Sequence, residues 1–297
     1  MKVRAMASSI SRPVRERLQQ GPFVARVLAV FDHACDLVTP GGDVVALVTP
    51  QIGNGPLNVV VEVEPGDFAA VEPGMAAMLN GGRLQVGGLE VILEGAVVWE
   101  PCPDWSALRA RRASIVSRLP LLWTIALRHA PANSLLELAV GRDAISSYIA
   151  GWEGDIARLQ EGAAQLAGLG SGLTPAGDDF LTGVMLWVWL AHPTPRLLCR
   201  ALVEAAAPRT TTLSAAFLRA AAQGEWSAPW HRLLSALERG AEDELPAAVQ
   251  EVLAYGATSG ADALAGFLFL ESNRDTARCV PTPVMPGKSS PPTAANR

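Results

Sequence analysis

The segment from Gly168 to Gly183, GLGSGLTPAGDDFLTG, concentrates the residues most able to do chemistry. Gly170, Gly172 and Gly177 lead into a strongly apolar run. Glycines there permit positive φ and let a ligand approach the backbone closely. Thr174 suits a helix N-cap and Pro175 the first helical position. Free amides and the helix dipole at such an entrance favour a small anion. Asp178 and Asp179 fall in about the first turn. They could hold a divalent ion such as Mg²⁺, accept a proton, or pair with an arginine. The plainer alternative is a capped, buried helix whose two carboxylates satisfy local amides and an arginine.

A second entrance, Gly256 to Gly266 (GATSGADALAG), repeats the first when one residue is skipped. Thr258 matches Thr174, Gly260 matches Gly177, Asp262 matches Asp179 and Gly266 matches Gly183. Ser259 adds another hydroxyl. Both segments run into apolar stretches, which belong in the middle of a bundle. The expectation is two buried helices side by side. Their N-termini converge on one pocket, and Gly183 and Gly266 allow close approach. The plainer alternative is that any glycine loop entering a core helix looks like this.

Between the two entrances stand Arg209, Thr210 and Thr211, followed by Ser214. Arginine offers a bidentate fork to a carboxylate or phosphate. The hydroxyls offer further donors, or simply cap the next helix. His231, on a predicted helix, is the best-placed histidine for an accessory role. A structural histidine is the alternative.

The rest of the composition limits the chemistry. The net charge is −5, with 24 basic and 29 acidic residues, and no basic face is evident for a phosphate backbone. Nucleic acid is therefore not an expected partner. The only lysines are Lys2 and Lys288, so a lysine nucleophile or P-loop lysine within the folded body is excluded. Cys35, Cys102, Cys199 and Cys279 form no C-x-x-C and no zinc spacing, which suits reduced thiols in a cytoplasm. No signal peptide is expected in the first 18 residues, which lack a continuous apolar run. The apolar stretch 180–191 is shorter than the roughly 20 residues of a membrane span.

These residues need a scaffold, and the chain supplies two kinds. From Gly21 to Pro103 short β-branched runs alternate with Pro-Gly and Gly-Gly turns. Expected strands are Val24–Phe31, Val44–Val48, Leu57–Val63 and Leu89–Leu93, with a hairpin across Gly87-Gly88. This predicts a small barrel or sandwich. From Asp104 to Glu271 the period is helical. Expected helices include one from Asp104 or Ser106 towards His129, then 133–140, 142–167, 174–191, 196–206, 212–222, 228–239, 245–255 and 259–271. The fold class is α+β, with no strand signal in the second half for a doubly wound sheet. The expected organisation is a basic segment 1–20, a β-rich domain 21–103, a helical domain 104–271 and a disordered proline-rich tail 272–297.

The three motifs together, GxGxGLTPxGDDFLxG, then Arg209-Thr-Thr with Ser214, then GxTSGxDxLxG, resemble one bacterial family. It is the domain family of unknown function that includes the AllH-type subunit of oxamate carbamoyltransferase. The match covers residues 155–270 well and the strand-rich half in layout only. The resemblance implies a subunit of a multi-protein enzyme of anaerobic allantoin breakdown. That enzyme exchanges a carbamoyl group between oxalurate and phosphate, giving oxamate and carbamoyl phosphate. Partners would be these small anions and other enzyme subunits. Asp178, Asp179 and Asp262 would be the catalytic carboxylates, as carbamoyl-orienting or Mg²⁺-binding groups. Alternatives are a non-catalytic partner subunit, or a Mg²⁺-dependent enzyme binding a phosphometabolite.

Overall fold

The computed structural model describes residues 3–63, 66–138 and 154–272. Nine strands come first: β1 (Val3–Ser11), β2 (Val24–Phe31), β3 (Ala34–Val38), β4 (Val44–Val48), β5 (Asn58–Val61), β6 (Ala76–Asn80), β7 (Arg83–Val86), β8 (Leu89–Ile92) and β9 (Val97–Trp99). One helix, α1 (Arg12–Gln19), interrupts them. The strand order is β5-β4-β3-β2-β6-β7-β8-β1, and β5 also pairs with β1. Eight strands thereby close into a barrel, which removes every sheet edge but the short β9 flank. The expected hairpin forms, with Val86 opposite Leu89 across Gly87-Gly88.

Four strands, β1, β3, β6 and β9, are not among those expected, and two of them show why. β1 lies in the stretch expected as a separate basic segment, yet it closes the barrel. Its Val3–Met6 half runs parallel to β8, and its Ala7–Ile10 half runs antiparallel to β5. Its inward residues Ala5 and Ala7 are small, so the alternation is faint. β3 is similarly masked, because Asp36 stands between inward Cys35 and Leu37.

The barrel wall explains the runs without polar alternation. Every residue of β4 and β5 is buried. One face fills the barrel with Val45, Leu47, Val59 and Val61. On the other face, Val38 and Val44 pack against Leu213 and Ala216 of the helical half. A strand covered on both faces has no solvent side to mark with polar residues.

The helices are α2 (Trp105–Ala110), α3 (Arg112–His129), α4 (Leu135–Leu138), α5 (Ile156–Leu166), α6 (Ala176–Ala191), α7 (Pro195–Ala206), α8 (Thr212–Gln223), α9 (Ala228–Arg239), α10 (Leu245–Leu253) and α11 (Ser259–Ser272). Asp104 caps α2 by accepting from the amides of Ser106 and Ala107, both at 3.0 Å. Residues 142–153 of the expected helix 142–167 lie outside the described residues. So do residues 139–140 and the expected tail beyond Ser272. No described helix is long and apolar enough to cross a membrane.

Helix α6 is the axis of the bundle, buried at every residue from Gly177 to Leu190. Its main neighbour is α11, as the repeat predicts. A Cβ on Gly183 would stand 1.8 Å from the Ala263 carbonyl oxygen, and one on Gly266 would stand 2.0 Å from that of Phe180. The two backbones therefore touch where each lacks a side chain. Trp187 meets Phe267 edge-on at 5.8 Å, sealing the contact further along.

Candidate functional site

The α6 entrance is built by chain crossing chain. Gly168 has φ +73°, and a Cβ there would lie 2.6 Å from the Arg209 carbonyl oxygen. A Cβ on Gly177 would lie 2.1 Å from the Leu166 carbonyl oxygen, and its amide donates to Leu169 O at 2.9 Å. The amides of Asp178 and Asp179 both donate to Pro175 O. The glycines thus make room for neighbouring backbone, and these first-turn amides are already partnered. Gly170 is closed off by Ala176, whereas Gly172 faces open space. Pro175 takes the N-cap position, and Thr174 makes no cap.

The adjacent carboxylates do different work. Asp178 is fully buried. Its Oδ1 accepts from the Gly168 amide at 3.1 Å. Its Oδ2 accepts from the Thr210 hydroxyl and from Ser214 Oγ at 2.9 Å. Thr211 caps α8 by accepting from the Ser214 amide at 3.1 Å, and donates its own hydroxyl to Leu173 O at 2.5 Å. Asp178, Thr210 and Thr211 therefore latch the glycine loop to the start of α8. The Arg209 side chain is exposed and donates from Nη1 to Ala205 O at 3.0 Å. It neither pairs with Asp178 nor lines the cavity described next.

Asp179 lines a cavity of about 70 Å³, together with Thr174, Thr182, Glu225, Trp226 and Ser259. That is room for a few waters or a very small molecule. The expected convergence of helix entrances is present here, since Thr174 Oγ and Ser259 Oγ lie 3.0 Å apart. Asp179 is 9% exposed, and its Oδ2 has no hydrogen-bond partner. Burial pushes its carboxyl up to about 8, against the Ser259 hydroxyl; Asp262 and Asp178 push it further up and Thr174 opposes. At neutral pH it carries its proton. The indole Nε1 of Trp226, another lining residue, is likewise buried without a partner. The cavity thus has one carboxyl oxygen and a lining indole N–H left unpaired, at a cost that a ligand could relieve.

Glu225 is the residue that sequence reasoning missed. Burial raises its carboxyl to about 7. Its one signal was position: a lone acid between Gly224, the left-handed C-cap of α8, and buried Trp226.

Besides Asp178, Arg209, Thr210, Thr211 and the loop glycines, three further expected site residues lie outside the cavity. Asp262 sits on α11, but its Oδ1 accepts from the Leu135 amide at 2.6 Å, and it does not line the cavity. Burial raises its carboxyl, against the Leu135 amide and the Thr258 hydroxyl. Thr258 is also absent from the lining; Gly260 is present, pressed against Val252 O. His231 Nε2 lies 3.0 Å from Pro101 O, beside Trp99, so it ties α9 to the linker after β9. Its burial lowers its basicity, and it lies away from Asp179.

Mg²⁺ does not fit the paired carboxylates. Both oxygens of Asp178 already accept from neutral donors, which leaves Asp179 without a second carboxylate to share a hard cation. Among the described residues no group of three His, Cys, Asp or Glu is arranged to hold a metal.

Two family models match the chain. The AllH family N-terminal domain matches residues 6–98, the barrel, and oxamate carbamoyltransferase subunit AllH matches residues 166–270, the glycine loop through α11. No solved structure matches. With the barrel and the helical motifs each matched by its own part of one family, the chain belongs to the AllH family of oxamate carbamoyltransferase subunits.

Proposed function

We propose that this chain works within an oxamate carbamoyltransferase complex, alongside other subunits, and that its Asp179 cavity holds the carbamoyl end of the substrate. The observation that carries this is the buried Asp179, whose Oδ2 has no partner, beside two hydroxyls and an unpaired indole. A protonated carboxyl presents one O–H donor and one carbonyl acceptor. A carbamoyl group presents the complementary N–H donor and carbonyl acceptor. The pair can close two hydrogen bonds at once without burying net charge. A carboxylate there would instead repel the anionic parts of oxamate, oxalurate or phosphate.

The same proton suits the chemistry. Phosphate oxygen attacks the terminal carbamoyl carbon of oxalurate, the bond from that carbon to the bridging nitrogen breaks, and that nitrogen takes a proton as it departs as the amide of oxamate. Asp179 is a source for it, acting as general acid. Thr174 and Ser259 orient the group, and the small cavity keeps water from intercepting it. The free thiols of Cys35, Cys102 and Cys199 fit a reducing cytoplasm.

Turnover of carbamoyl phosphate with oxamate by the reconstituted complex tests this reading. Asp179→Ala should lose at least about 100-fold in turnover. Asp179→Asn keeps a donor and an acceptor but cannot give a proton, so KM should hold while kcat falls. Full turnover by Asp179→Ala would overturn the proposal. A second reading, a non-catalytic partner subunit, draws on Leu169 and Leu173, exposed at 55% and 36% on the glycine loop. It expects polar substitutions there to release the chain from its partners, with Asp179→Ala silent.

A further inference from the structure

The Asp179 cavity does not end at Glu225. Pro56 and Glu225 also line a second, larger cavity of about 280 Å³. This outer cleft lies between the barrel and α8. The barrel side contributes Arg17 from α1, with Asp43, Val44 and Leu57. The helical side contributes Ala216, Arg219 and Ala220.

Its two arginines differ in how they are held. Arg17 is partly covered and bonded through Nε to Asp43 at 2.8 Å. Arg219 has no hydrogen bond or ion pair with another described residue. Arg12, the cation whose charge acts on the Glu225 carboxyl, is held by Glu100 and Glu16. The outer cleft therefore presents one free guanidinium and one whose terminal nitrogens remain available. Guanidinium forks match the oxygens of a tetrahedral oxyanion.

We propose that the barrel–helix cleft is an oxyanion site, in which Arg17 and Arg219 hold a phosphate group and Glu225 forms the doorway to the Asp179 cavity. The anion site is thus displaced from the glycine loop, where the Gly177, Asp178 and Asp179 amides are partnered, to a cleft that only the docking of the two halves creates. The proposal stands on the cleft itself and does not depend on what Asp179 binds.

Calorimetric titration of the full chain with inorganic phosphate at low, constant ionic strength tests it, with sodium chloride as the control for bulk charge. Arg219→Gln and Arg17→Gln should each weaken phosphate binding by about tenfold or more, the loss expected for a charge-assisted hydrogen bond. Asp43→Asn frees Arg17 and should tighten binding several-fold. Glu225→Gln removes a negative charge at the doorway and should also tighten it. Methyl phosphate distinguishes the sources: equal binding marks a seat for the phosphoryl end of a larger ligand, and binding of inorganic phosphate alone marks a free-phosphate site. Phosphate affinity is read on the chain alone and without turnover, so this proposal and the Asp179 reading fail separately. Phosphate affinity indifferent to both arginines, or no saturable binding in the millimolar range, would overturn it. Arg219 is exposed, so its variant tests binding without endangering the fold.

Discussion

Thr174 and Ser259 meet hydroxyl to hydroxyl at 3.0 Å, although 85 positions separate them in the chain. This contact joins the entrances of α6 and α11 above the buried Asp179. Both hydroxyls favour the ionised carboxylate, Ser259 more than Thr174. Ser259→Ala should therefore raise the Asp179 carboxyl further above 8, and Thr174→Val should raise it less. Thr258→Val, whose hydroxyl serves Asp262, should leave Asp179 alone. Carboxyl ¹³C NMR titration reads all three, and an unmoved Asp179 in Ser259→Ala would remove the hydroxyls from its environment.

Stability should fall as pH rises through the neutral range. An unfolded aspartate releases its proton near 3.9, whereas Asp179 holds it to about 8 when folded. Between about pH 4 and pH 8 the native state binds a proton that the unfolded chain lacks, so unfolding gains favour with increasing pH. Glu225 adds to the slope up to about 7. The predicted loss across this window is on the order of a few kcal/mol. Urea midpoints measured against pH should flatten in Asp179→Asn, and a wild-type profile rising from pH 5 to 8 would contradict the prediction.

The glycine seam between α6 and α11 should tolerate no side chain. At Gly183 and Gly266 the added methyl meets a backbone carbonyl at 1.8 and 2.0 Å, which no rotamer relieves. Gly183→Ala or Gly266→Ala should cost about 3 kcal/mol or more, despite alanine's higher helix propensity. Denaturant unfolding checks the sign, which propensity alone predicts to be opposite.

Asp178 should prove a stability residue. Asp178→Ala strands the Gly168 amide and the Thr210 and Ser214 hydroxyls, costing about 2–4 kcal/mol. Hydrogen exchange at Gly168 should accelerate. A variant that stays fully stable but loses turnover would return Asp178 to the chemistry.

Much of the helical half was legible because its signals are local. The Ala228–Arg239 helix shows its period and its flanking Pro229 and Gly240 in sequence. The repeated glycines also foretold the α6–α11 contact, since two helices without Cβ atoms at matching positions can approach backbone to backbone. β1 was not legible: its Ala5 and Ala7 carry little hydrophobic signal, and the partners that make it a strand lie some 50 and 85 residues away.

The site divides the same way. The sequence by itself determined which groups were available: carboxylates, hydroxyls and arginines, with lysine confined to the two ends. It also placed Asp178 and Asp179 at one helix entrance. Only the tertiary structure decided which did what. Adjacent residues on a helix diverge by about 100°, so one carboxylate turned towards Gly168, Thr210 and Ser214 and the other into a cavity. The first found three donors, while the second found burial and an unmatched oxygen. Local composition cannot distinguish them, because the difference lies in partners delivered by other segments of the chain.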